Sequence, residues 1–515
     1  MPEYRYSLDR SDQIRSLPSR RHRSRALGAL GVAAVGWGLL SVPAPAASPD
    51  AGPPTPFRWD ADELFAGLEE QFRRSSGMSL GEAVADAEAL EAEQAAALAR
   101  LPSAESAAGA GLAALAVRQM EYAVLAAAHP ELLPRAQDFA VRTRVEVTRA
   151  AALWPANRET HEALYRVLFG GRIALEEALV QAGAGALPPL VPIEAVASAT
   201  PSVEVGGVRV HSGDILLSRG GAPTSALIAR GSDFANTFSH AALAHVDPET
   251  GVATVVESLI ETGSVLTTAE EYLASKKHKI LVLRLRPDHP ALRDDPMLPH
   301  RAATRMLERL RDAHVPYDFA MEWSDDSAMF CSEVVHHAYH PEGVDLWPIR
   351  SAMTSPGLVR WLSAMGVREF ETLVPSDLEY DAQLRAVAEW RDAEALMEYR
   401  LDNAITDALL EEADLGTDLG YRWYVLPGAR LLKGVSVVAT MVGATPTIPR
   451  GMSPDAALRV QALVSTVSPA VKAELARREA EHLTDAGYRA PYWTLVALAR
   501  ESLASVREEL GPALR

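Results

Sequence analysis

Ser327-Ala328-Met329-Phe330-Cys331-Ser332-Glu333-Val334-Val335 holds the only cysteine in a chain of 515 residues. A lone thiol cannot close an intramolecular disulfide, so Cys331 is either a buried apolar side chain or a nucleophile. Its setting favours the nucleophile. Asp325, Asp326 and Ser327 are N-cap candidates for a helix expected over Ser327–His340, with Cys331 in or just after the first turn. Unpaired backbone N–H groups and the helix dipole favour a thiolate at such a position, and the same N–H groups can hold an oxyanion. Thiol-dependent hydrolysis also needs a base and a group to orient that base.

The best base candidate is His240, in the strand-like run Thr237-Phe238-Ser239-His240-Ala241-Ala242-Leu243. An imidazole among small and apolar residues is costly to leave unpaired. The next β-branched run, Val252 to Leu259, follows the turn-like Asp247-Pro248-Glu249-Thr250-Gly251. A four-residue loop with Val246 opposite Gly251 pairs His240 with Glu257. A five-residue loop pairs it with Ser258 and sends Glu257 to the other face. A Cys–His–Glu set therefore demands the even register or a bulge. Glu261 is a weaker carboxylate candidate.

Gly213-Asp214-Ile215-Leu216, Ser239-His240, Val256-Glu257, Pro316-Tyr317-Asp318 and Phe330-Cys331-Ser332-Glu333 occur in this order. The set resembles the circularly permuted, YiiX-like branch of the NlpC-type papain-like hydrolases, in which the histidine strand precedes the cysteine helix. The resemblance spans about 200–380 and includes Val374-Pro375-Ser376-Asp377-Leu378 as a closing segment. It implies Cys331 as nucleophile, His240 as base, Glu257 as orienting group and Tyr317 as a tyrosine near the site. The bland alternatives are a core thiol, a satisfied structural histidine, a surface ion pair and a core tyrosine. Glu333-Val334-Val335-His336-His337 lacks the His-Glu-x-x-His order, because Ser332 stands where a histidine is needed. No metal or other cofactor is expected.

Outward from this segment, the pattern predicts an α+β architecture: a permuted papain-like antiparallel-sheet domain over 200–382, flanked by all-helical regions. Strands are expected at Val203–Val210, Asp214–Ser218, His240–Val246, Val252–Leu259 and Ile280–Leu285, and helices at Thr268–Lys276 and Pro299–Ala313. Residues 60–185 read as a bundle of about five helices, punctuated by Pro102, Pro130, Pro134 and Pro155. After Ala382 the chain, 383–515, reads as helical to its end. Ala429 to Pro449 is the most apolar stretch of the expected mature chain and reads as a buried helix or hairpin, the alternative being a surface that meets lipid or an acyl chain.

The first 47 residues read as a signal peptide. Seven arginines against three acidic residues precede the apolar run Ala26–Val42, and Ala44-Pro45-Ala46 offers a cleavage site. Ser19-Arg20-Arg21 is similar to a twin-arginine signal, although His22-Arg23 departs from it. The alternative is an uncleaved anchor, for which seventeen apolar residues are marginal. Residues 48–59 form a Pro-rich linker, and the protein is expected to be exported, periplasmic or extracellular. A net charge of −18 argues against nucleic-acid binding.

The expected function is that of an exported cysteine hydrolase. Thiolate attack on an amide carbonyl gives a thioacyl enzyme, which water releases. The resemblance implies cell-wall peptides as substrate. Lipid or acyl ester and amide hydrolysis, or acyl transfer, is the second reading. A non-catalytic binding or scaffold protein is the third.

Overall fold

A computed structural model describes residues 61–101, 111–183, 185–441 and 446–515. The expected signal and linker lie outside the described residues. Five helices come first, Ala61–Ser75, Leu80–Leu98, Leu112–Ala128, Leu133–Ala151 and Arg158–Ala182. Ser79 opens the second with a reciprocal Ser79–Glu82 capping box, and Asn157 caps the fifth.

The sheet strands are β1 (Leu190–Pro192), β2 (Ser202–Val205), β3 (Val208–His211), β4 (Ile215–Gly220), β5 (His240–Val246), β6 (Ala253–Leu259), β7 (Gly263–Thr268), β8 (Lys277–Leu285), β9 (Ser351–Ala352), β10 (Glu371–Thr372) and β11 (Leu384–Arg391). Seven of them form one antiparallel sheet in the order β1-β11-β8-β4-β5-β6-β7. The expected single strand Val203–Val210 is instead a separate hairpin, β2–β3. Gly206 and Gly207, both at positive φ, make its turn.

Alternation along the strands divides the sheet into two buried faces. Ile215 and Leu217 of β4, Ala241 and Leu243 of β5, and Leu281 and Leu283 of β8 join one core with helices Leu298–Asp312 and Cys331–Tyr339. The intervening Leu216, Ala242, Ala244, Ile280 and Val282 pack on the other side against the β2–β3 hairpin and Tyr272. A sheet covered on both faces explains why its strands read as nearly continuous apolar runs.

The expected end of this domain at 382 is corrected by β11, which lies between β1 and β8. Helices Ala395–Asp414, Leu426–Met441, Pro454–Ala462, Ser468–Ala486 and Tyr492–Leu510 follow it.

Buried ion pairs join the first helical region to the sheet domain. Arg172 bridges Glu379 and Glu389, and Arg144 also reaches Glu379 at 2.5 Å. Lys279 of β8 pairs with Glu176. Arg400 grips Glu177 through two bonds of 2.7 and 3.1 Å, tying the two helical regions together.

Candidate active site

Cys331 is the first residue of its helix, and Phe330, in extended conformation, is the N-cap. This replaces the expected caps: Asp325 instead accepts from Ser327 N–H and Oγ in a turn of its own. The helix start is fixed by Glu333, whose Oε2 accepts the Phe330 N–H at 2.6 Å. Within the first turn Glu333 N–H donates to Phe330 O at 3.2 Å, and the Cys331 and Ser332 amides have no i−4 carbonyl in the helix to bond.

Two further bonds lock the approach to Cys331. Ser258 Oγ donates to Met329 O at 2.6 Å, and Met329 N–H donates to Pro316 O at 2.9 Å. The Val315–Tyr317 segment is in turn held on β7, with Ser264 N–H bonded to Val315 O at 2.8 Å. Gly263, at φ +83°, allows this close approach, since a Cβ there would lie 2.5 Å from Val315 O.

His240 is the first residue of β5, so its ring stands at the end of the sheet. Its Nε2 lies 2.7 Å from Glu257 Oε2. The hairpin reaches this contact by a register different from the expected one. Val246 pairs with Ala253 and Leu243 with Val256. Asp247 N–H donates to Val252 O at 3.0 Å, so the four-residue turn is Pro248–Gly251. The turn sits one residue later than expected, which shifts the pairing by two. A shift of two conserves the face, and Glu257 stays on the side of His240 as its diagonal neighbour.

The electrostatics follow from burial opposed by close charge. Burial lowers the His240 pKa, but hydrogen bonding and charge from Cys331 and Glu257 outweigh it and raise it to about 9. Burial raises the Cys331 pKa, yet the hydrogen bond and charge of His240, with the Ala241 backbone, bring it below its ordinary value. Burial likewise pushes Glu257 up, while His240 and then Lys277 draw it down to a net lowered pKa. All three shifts favour the charged forms of the groups, each against its own burial. Nε2 faces the Glu257 carboxylate, and the Cys331 thiol interacts with the same ring.

Tyr317 packs against the core that contains Cys331. Burial first, then the nearby Cys331 and Glu333 charges, raises its pKa well above the ordinary phenol range, so it is a neutral phenol. Glu261, the weaker carboxylate candidate, makes no hydrogen bond to the imidazole, which Glu257 holds.

Glu333 closes the Phe330-Cys331-Ser332-Glu333 motif. It is fully buried, and burial with the neighbouring Asp318 and Cys331 charges raises its pKa to about 9. It is therefore a neutral acid that shapes the helix start without repelling the thiolate. Its place three residues after the N-cap was the available signal. Ser218 and Tyr272, joined by a 3.1 Å hydrogen bond, were also missed. Ser218 pairs with His240 across β4 and β5. His336 stacks on His340 at 5.1 Å. No cluster of three or more His, Cys, Asp or Glu side chains among the described residues could hold a metal.

Residues 209–388 match the family model described as permuted papain-like amidase enzyme, YaeF/YiiX, C92 family. Among solved structures, the metalloprotein YiiX from Escherichia coli O157:H7 is 19% identical. The similarity covers 34% of this chain and 95% of that one, with a TM-score of 0.28. Curated protein sequences give no match.

Proposed function

We propose that this chain, which carries a cysteine hydrolase domain of the permuted papain-like amidase family in residues 209–388, cleaves amide bonds through a thioester formed on Cys331. The observation that carries the reading is the 2.7 Å contact between His240 and Glu257 beside a thiol whose pKa is lowered by that imidazole.

The Cys331 thiolate adds to the amide carbonyl, and the first-turn amides of its helix stabilise the oxyanion. The His240 imidazolium gives its proton to the departing nitrogen as the C–N bond breaks and the C–S bond stays. Neutral His240 then takes a proton from water, whose oxygen displaces the sulfur to release a carboxylic acid. Glu257 holds the ring and offsets its charge in both half-reactions.

Cell-wall peptides outside the cytoplasm are the first substrate class, in keeping with the arginine-rich, apolar N-terminal segment. An acylated amide or ester is the second, favoured by the exposed apolar helix Leu426–Met441. The test is incubation with cell-wall fragments and with acylated lipids, followed by mass spectrometry of new carboxyl and amine ends. Products that vanish with Cys331→Ala are expected. Equal product with Cys331→Ala, or a thiol that alkylates no faster than a free peptide cysteine, refutes the proposal.

A further inference from the structure

The expectation that Ala429–Pro449 is buried fails for the helix Leu426–Met441. Its Leu426 and Ala429 face the protein, but Leu431, Val435 and Val438 are 63%, 64% and 60% exposed. Their spacing places them along one outward stripe. Trp423, 60% exposed, and Tyr424 stand just before the helix. Of fifteen exposed large apolar side chains among the described residues, eight fall between Trp423 and Val438. Scattered surface leucines need no explanation, but such a concentration marks an interaction surface.

The charge of this region runs against the rest of the chain. No Asp or Glu occurs between Asp418 and Asp455, whereas Arg422, Arg430, Lys433 and Arg450 do, in a chain of net charge −18. Apolar side chains flanked by an aromatic pair and cations, without carboxylates, suit the headgroup region of an anionic bilayer. No described helix is long and apolar enough to cross a membrane, so the helix would lie in the plane of the surface. A second copy of this chain fits less well, because a two-fold interface would set these cations against themselves.

The surface is rigidly joined to the candidate site. Lys433 Nζ donates to Arg450 O at 2.8 Å, and Ile448 N–H donates to Ser436 Oγ at 3.1 Å. The returning segment then packs on the tyrosine loop. Ile448 and Met452 contact the cluster containing Ile260 and Phe319. A Cβ on Gly451 would lie 2.8 Å from the Phe319 ring and 3.1 Å from Tyr317 O.

We infer that Leu426–Met441, with Trp423 and Tyr424, docks the protein on an anionic lipid surface and so presents the Cys331 site to substrates held at that surface. The docking stands on the helix alone; the presentation of substrate rests on the hydrolase reading.

The test is flotation of the full chain with vesicles of equal parts phosphatidylglycerol and phosphatidylcholine, and with phosphatidylcholine alone. Binding to the anionic vesicles, weakened by salt, is expected. Val435→Glu with Val438→Glu should reduce the bound fraction about tenfold or more. Both positions are exposed, so the thermal midpoint should hold; if it falls, Arg450→Glu carries the comparison. Cys331→Ala should bind like the unaltered chain, which separates docking from catalysis. The inference is overturned by vesicle binding that survives the double substitution, as it would if residues 26–42 alone were responsible. It is also overturned if there is no vesicle binding, or if the double substitution only turns a dimer into a monomer.

Discussion

Replacing Glu257 by Gln keeps the size of the side chain at the end of β6 and removes its charge. The rise of the His240 pKa from 6.5 to about 9 is worth roughly 3 kcal/mol in favour of the imidazolium, net of burial. Two anionic neighbours share that rise, the Cys331 sulfur and the Glu257 carboxylate. Losing the Glu257 charge should lower the His240 pKa by about one pH unit, roughly 1 kcal/mol. While the imidazolium is present the thiol releases its proton to solvent, so this loss acts on the histidine titration and does not raise the thiol pKa. The thiolate–imidazolium window therefore narrows from its high-pH side.

The sign is definite. A raised histidine pKa means that the imidazolium is present at low pH and is lost as pH rises through about 9 in the unaltered protein. In Glu257→Gln that loss should come near pH 8, about one unit earlier. The upper inflection of the Cys331 alkylation profile, where the thiolate loses its imidazolium partner, should move down by about the same one unit. The assay is the rate of iodoacetamide labelling of Cys331 across the pH range, followed by intact mass, with thermal unfolding as the control. Superimposable pH–rate profiles for Glu257→Gln and the unaltered protein, both folded, would falsify the role given to the carboxylate.

Two further outcomes follow from buried charge. The unfolded chain releases the Glu333 proton near its ordinary pKa of 4.5, and the folded protein keeps it to about 9, so this group costs stability increasingly as pH rises between those values. Glu333→Gln can still accept the Phe330 N–H; its melting temperature should match the unaltered protein near pH 5 and exceed it near pH 8. A variant destabilised equally at both would contradict a neutral Glu333. Arg172→Met leaves Glu389 only its longer 3.8 Å pair with Arg391 and weakens the hold on Glu379 in a buried site, and should lower unfolding free energy by about 3–5 kcal/mol in urea titration. A loss under about 1 kcal/mol would mean that the two glutamates are satisfied without it.

The elements that carry the chemistry are legible because their patterns are local. The histidine strand spans the expected His240–Val246, and Pro130 and Pro155 fall between successive helices before Ala182. The hairpin register is not local. It depends on which of several turn-forming residues between Asp247 and Val252 closes the loop, and an Asp247–Val252 bond decides it. Glu333 reads as an ordinary acid in sequence because its neutrality is produced by burial and by the charges of Asp318 and Cys331, which only the fold brings close. Strand β11, Leu-Arg-Ala-Val-Ala-Glu-Trp-Arg, reads as helix-forming. Its Glu389 is buried in a sheet because Arg172 arrives from a helix more than two hundred residues earlier. The Leu426–Met441 helix misleads in the opposite way, since apolar composition alone cannot distinguish a core from a surface that meets lipid.

Strand β1 enters the sheet beside the strand that leaves it, Leu190 opposite Trp390. The regions before and after this pair meet directly. Gln181 exchanges hydrogen bonds of 2.9 and 3.0 Å with the backbone of Arg489, and Tyr488 OH donates to Glu69 at 3.0 Å. Topologically, then, the sheet domain is a guest inserted into a single helical host whose two halves are far apart in sequence. Host and guest are connected covalently through one pair of neighbouring strands, so a hinge between them would lie at Leu190–Trp390. The buried pairs of Arg172 and Lys279 are the clasps across that hinge.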